Sequence, residues 1–182
     1  MQEREPDVNW QVIYHMSRLK GHNPQVKSFN FKHVHQLLPC KERLSQILSS
    51  SAPLCSLCTS QQPESIFHAF LECDRNKDAA LYLLNLTRVY DSTVSALKIT
   101  RLQISTEVLY ELPAMLLLCS GLEFIWRQRL EKKTTSVYDI RAELECLVCT
   151  LRKSRLKKLR EAISIIKNTL ENFSSTPCII SL

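Results

Sequence analysis

CSLCTSQQPESIFHAFLEC, running from Cys55 to Cys73, is the stretch on which the reading of this chain turns. It spells Cys55-x2-Cys58-x9-His68-x4-Cys73. Two cysteines three apart form a tight knuckle whose thiolates converge on one point. A histidine and a cysteine further on complete a tetrahedron of soft, deprotonatable ligands around zinc. Pro63 and Glu64, ahead of an apolar run, read as the start of a short helix that carries His68. On one continuous α-helix, His68 and Cys73 would point about 140° apart. The helix is therefore expected to end near Glu72, with Cys73 turning back towards the metal. The bland alternative is four reduced, buried side chains that fall at this spacing with no ion between them.

The flanks of this stretch carry a family resemblance. LLPCKERLSQI (Leu37 to Ile47), then Cys55-x-x-Cys58, then Glu64-Ser65-x-x-His68-Ala69-Phe70-x-x-Cys73 resembles the zinc-binding domain downstream of the reverse transcriptase in non-LTR retrotransposons. Pro39, Arg43, Leu44, Cys55, Cys58, Glu64, His68 and Cys73 match that pattern in order. Phe29 and Phe31 stand where the pattern leads one to expect tryptophan. The resemblance covers roughly residues 10 to 80. It implies the C-terminal part of a retrotransposon polyprotein, a segment that helps to hold template RNA or target DNA while the polymerase acts. It also implies the reverse transcriptase as a partner. No polymerase is present here, so the resemblance implies a fragment, a decayed copy or a separately encoded remnant.

Composition sets the outer limits. With 182 residues, 45% of them hydrophobic, the chain can bury one core or little more. Two glycines among many Leu, Lys, Glu and Arg argue for an all-α fold, since strand-rich folds need more glycine-bearing turns. A net charge of +6 suits a polyanionic partner without requiring one. Eight cysteines behind the charged start MQEREPD point to a reducing compartment and to metal rather than disulfides. No apolar run reaches the roughly 18 residues of a membrane span. The expectation is a cytoplasmic or nuclear chain that does not engage a membrane.

Taken in order, Asp7 caps a first helix bearing Val12, Ile13, Met16 and Leu19, which Gly21 stops. Arg18, Lys20, His22 and Lys27 lie in or beside a solvated loop. A second helix is expected from Ser28 to Leu38, anchored by Phe29, Val34, Leu37 and Leu38, with His33 and His35 partly exposed. Pro39 ends it, and Lys41 opens a helix whose Leu44, Ile47 and Leu48 pack on the knuckle. The linker Ser49 to Pro53 leads into the zinc loop. Asp74 is a plausible N-cap for a helix to about Tyr90, buried on more than one side. Residues 91–106 read as loop with a helical turn, or as a short strand.

A second unit begins near Thr106. Glu107 to Lys132 is strongly apolar, with Pro113 at a first turn or a kink. Ser136 or Asp139 starts a last helix whose stripe Ile140, Leu144, Leu147, Leu151 slips by one before resuming at Leu156, Leu159, Ile163, Ile166 and Leu170. One residue is about 100° of rotation, so a break is expected between Arg152 and Arg155. The domain expectation is a zinc-clamped helical unit over 7–90, a long-helix hairpin or bundle over 106–173, and a frayed tail over 174–182.

Arg152, Lys153, Arg155, Lys157, Lys158 and Arg160 surround that break with no acidic residue among them. They are the candidate nucleic-acid contacts, lying along a phosphate backbone; a plain solvated face is the competing reading. Cys146 and Cys149 form a second Cys-x2-Cys but lack ligand-spaced partners other than Cys178. They are expected to be core cysteines, like Cys40 and Cys119.

No catalytic constellation is expected. No Asp-Asp pair could hold two magnesium ions, and two glycines cannot build a phosphate loop. A Cys3His set is closed, so one zinc per chain would be structural, with its binding energy becoming folding energy. Two functions fit. One is a non-catalytic, zinc-binding module that holds RNA or DNA. The other is a zinc-stabilised helical module that binds protein, including itself, through the helix within Glu107 to Lys132 and the last helix.

Overall fold

The computed structural model describes residues 23–48, 52–100, 102 and 108–174. Seven α-helices and one π-helical turn form the described chain, with no strand among these residues. The helix expected after Asp7, the serines at 49–51, Cys178 and the tail from 175 lie outside the described residues.

Helix α1 spans Pro24–Val34. It begins four residues earlier than periodicity suggests, because the Asn23 side chain accepts the Val26 N–H at 2.8 Å and Pro24 supplies a preset first turn. It ends at Val34 rather than Pro39. Gln36 takes a left-handed φ of 55°, and the Leu37 N–H donates to the Lys32 carbonyl, closing the end in Schellman fashion. Arg43 donates to the Gln36 carbonyl and holds that end in place. Leu37 consequently points to solvent instead of anchoring the helix, while Phe29 and Leu38 are buried as expected.

Two further expectations are corrected here. His33 is fully buried between Phe29 and Phe70, with ring centroids 5.3 Å from each, because it lies one turn beyond Phe29 on the buried face. Helix α2, Lys41–Ile47, buries none of its residues; Ile47 and the following Leu48 are more than half exposed.

Helix α3, Lys77–Arg88, starts at Asn76 and not at Asp74, whose carboxylate instead pairs with Lys77 at 3.0 Å. Asn76 is fully buried and donates to the Ala69 carbonyl, tying this helix start to the turn before it. Ala79, Ala80, Leu83, Leu84 and Leu86 are buried around the helix, as its broad apolar pattern requires. Residues 91–100 resolve as an Asx turn on Asp91 followed by the short α4, Ala96–Thr100.

Helix α5, Val108–Leu130, is the centre of the molecule. Residues 113–122 are buried all round the helix, and α1, α3, α6 and α7 pack against it. Pro113 lies in its second turn, where the carbonyl four residues earlier lacks its usual donor. The apolar surface expected to bind other proteins is thus consumed inside the chain.

Helix α6, Val137–Leu151, opens with a reciprocal capping box between Ser136 and Asp139. Helix α7, Lys157–Ser174, follows a break at 152–156, where the apolar stripe changes phase. Ile140, Leu144 and Val148 of α6 join Leu159, Ile163, Ile166 and Leu170 of α7 in one apolar core with α3 and α5. Cys40 and Cys119 are buried, but Cys146 and Cys149 are exposed, correcting their reading as core residues. Their helical phase explains it: Cys146 sits about 200° around α6 from Leu144.

Candidate metal centre

Cys55, Cys58, His68 and Cys73 converge so that their ligand atoms all lie within 4.8 Å of one another. A tetrahedral zinc with sulfur at 2.3 Å separates its sulfurs by about 3.8 Å, so the set fits a four-coordinate ion in both chemistry and spacing. Cys55, His68 and Cys73 are buried, and Cys58 is half-buried.

The local backbone explains the convergence. Leu54 and Pro63 form an isolated antiparallel bridge, with the Cys55 N–H donating to the Gln62 carbonyl at 2.9 Å. That pairing folds the knuckle back towards the His68 segment. Pro63 and Glu64 therefore belong to the bridge rather than to a helix. Ser65 is the cap instead, its hydroxyl accepting the His68 N–H at 3.0 Å.

His68–Glu72 is a π-helical turn, and the Cys73 N–H donates to the His68 carbonyl at 2.8 Å. A π turn bonds residues five apart, so it brings together two ligands that an α-helix would separate. Cys73 then leaves in extended conformation, at the point where the helix was expected to end.

His68 Nε2 is 3.3 Å from Cys58 Sγ. Nδ1 faces Gln62 Oε1 at 3.2 Å and Glu72 Oε2 at 3.5 Å. With Nδ1 directed at these two oxygens, Nε2 is the ring nitrogen that faces the cysteines.

The chain beyond the knuckle also reaches this centre. Arg129, near the end of α5 and only 4% exposed, donates from Nη1 to Cys73 Sγ at 3.4 Å and from Nη2 to Cys55 Sγ at 3.2 Å. Nη2 also pairs with buried Glu64, at 2.9 Å. Arg75 donates to the Leu57 carbonyl at 3.0 Å and to Thr134 at 2.8 Å, and the Thr135 N–H returns to the Arg75 carbonyl. The turn after α5 is thereby fastened to the knuckle.

Burial pushes the Cys55 thiol up, but the Leu57 N–H, Arg129, His68 and the Cys58 N–H outweigh it and bring the group down to about 6. Burial wins at Cys73, which stays above the usual thiol range despite the Arg75 N–H and Arg129. Neither Arg129 nor Arg75 was singled out by sequence. The signal for Arg129 lay in its helical phase: it continues the face of Leu122, Ile125 and Trp126, all buried.

The six basic residues around the α6–α7 break are placed differently. Arg152, Lys153, Arg155, Lys157, Lys158 and Arg160 are all exposed. Lys157 reaches Glu161 at 3.8 Å.

Residues 1–79 match the family described as zinc-binding in reverse transcriptase. The resemblance seen in the sequence is therefore shown for this segment, which contains all four converging side chains and ends inside α3. No curated protein and no solved structure matches the chain. No helix among the described residues is long and apolar enough to cross a membrane.

Proposed function

We infer that the chain is a non-catalytic module that binds one structural zinc ion and holds RNA or DNA by its backbone. The observation that carries the reading is the convergence of Cys55, Cys58, His68 and Cys73 within the segment that matches the reverse-transcriptase zinc-binding family. Bound zinc would supply four-ligand closure in place of apolar burial, between the Leu54–Pro63 bridge and the π turn. Three thiolates and one imidazole leave no position for water, so the centre is a clamp.

In this reading residues 7–90 form the metal-bound unit and 106–173 present the nucleic-acid face. Support for that face comes from the exposure of Arg152, Lys153, Arg155, Lys157, Lys158 and Arg160 along one break between helices, with no acidic residue among them. Such a face binds phosphates by releasing counterions. The reverse transcriptase that such a segment follows is the natural protein partner, in the cytoplasm or the nucleus.

The test is binding of the full chain to labelled single- and double-stranded oligonucleotides across a salt series. A Lys157→Ala/Lys158→Ala protein should bind more weakly, with the slope of log affinity against log salt reduced by up to about 2. Binding that is absent, or indifferent to salt and to both lysines, removes nucleic acid from the function.

A second reading, a zinc-stabilised module that binds protein, is favoured by one observation. Phe31, Ile47, Leu48, Phe67 and Leu97 all expose substantial apolar surface, and Phe67 and Leu97 line a groove beside α2. Concentration-dependent helicity without oligonucleotide binding would select this reading.

A further inference from the structure

We propose that Arg129 is a positioning residue of the metal centre, which makes α5 and the turn after it part of that centre. The proposal rests on the zinc reading above and deepens it. The converging side chains fall within residues 55–73, and the family match ends at residue 79, fifty residues before Arg129.

The geometry carries the inference. Guanidinium presents several N–H donors in a fixed plane, and two of them are used here on sulfur. Nη1 donates to Cys73 Sγ and Nη2 to Cys55 Sγ, and Nη2 also stands 2.9 Å from Glu64 Oε2 as an ion pair. The fork thus spans two of the three cysteines, which lie eighteen residues apart in the chain.

Charge gives the fork its role. Zinc with three thiolates and a neutral imidazole carries a net charge of −1, and Glu64 adds another beside it. A buried group of that sign is costly without a cation, and the guanidinium stands against both sulfurs and the carboxylate. N–H donors to ligand sulfur also fix the orientation of the thiolates, as outer partners of metal ligands do.

Arg75 joins the same two regions from the other direction. It bonds the knuckle at the Leu57 carbonyl and the post-α5 turn at Thr134 and Thr135. Metal binding and the seating of α5 are therefore coupled, and each strengthens the other.

The test uses the full chain with Co2+ as a spectroscopic probe and Zn2+ in competition with a chromophoric chelator. Arg129→Gln should weaken Zn2+ binding by roughly 10- to 100-fold and move the cobalt–thiolate charge-transfer band. Leu144→Ala, in α6 and remote from the ligands, serves as the control for lost packing. It should lower thermal stability while leaving the band in place. Should Arg129→Gln fail to fold, Arg129→Lys decides. It keeps the charge but not the fork, and should still shift the band and weaken binding.

An arginine variant that folds with wild-type affinity and band position overturns the proposal, as does one that changes no more than Leu144→Ala. A wild-type chain that takes up neither metal overturns the zinc reading itself, so the two failures are distinct.

Discussion

The backbone N–H of Cys73 donates to the carbonyl of His68 across five residues, at 2.8 Å, and this one bond sets the angle between two of the four candidate ligands. An α-helical path would bond residues four apart and rotate Cys73 away from His68. An alanine inserted after Leu71 lengthens the step from five residues to six and breaks that relationship. We expect the inserted protein to lose its metal in a stoichiometry measurement, while the same insertion after Lys153, in the exposed break between α6 and α7, leaves metal content unchanged. Retained metal after the Leu71 insertion would show that the π turn is incidental.

His33 predicts a pH dependence. Burial takes its pKa from 6.5 down to about 4, with backbone groups of Thr100 and Ile99 acting in the opposite direction. The folded chain holds His33 neutral while the unfolded chain protonates near 6.5. Stability from this group is complete above pH 6.5 and is lost as pH falls towards 4, by up to about 3 kcal/mol. Urea midpoints of wild type and His33→Leu, compared from pH 7.5 to 4, isolate it from thiolate protonation, which both proteins share. The variant should show the shallower decline; parallel curves contradict the assignment.

Gly121 predicts a packing limit between α3 and α5. A Cβ there would stand 2.7 and 2.8 Å from the Leu83 methyl carbons and 3.3 Å from Cγ. Alanine gains about 1 kcal/mol of helix propensity, but forcing the fully buried Leu83 aside costs about 1 to 3 kcal/mol. Gly121→Ala should therefore lose about 1 kcal/mol in denaturant unfolding. In a Leu83→Val background the same change should cost less, and an equal cost in both backgrounds rules out this contact.

These residues also show what a sequence exposes. The four candidate ligands are readable because they fall within a nineteen-residue window and share one chemistry. The break between α6 and α7 is readable because a slip of one residue displaces the whole stripe, and Ser136 with Asp139 spell their cap directly. Arg129 is harder, since its sulfur partners lie 56 and 74 residues away and charge suggests a surface position. His33 and Cys146 are harder for a related reason. Residue type suggests the wrong side of the helix for both, whereas phase puts His33 one turn beyond Phe29 and Cys146 on the far side of Leu144. The exposed α2 stripe has no such signal, because amphipathicity identifies an apolar face and not what covers it.

Native mass spectrometry of the full chain with and without a chelator, read beside circular dichroism, tests the central claim most directly. The account predicts one zinc per chain, removed together with part of the helix signal, and a His68→Ala protein that no longer retains it. A chain without bound metal, whose helicity is unchanged by chelator, would contradict it.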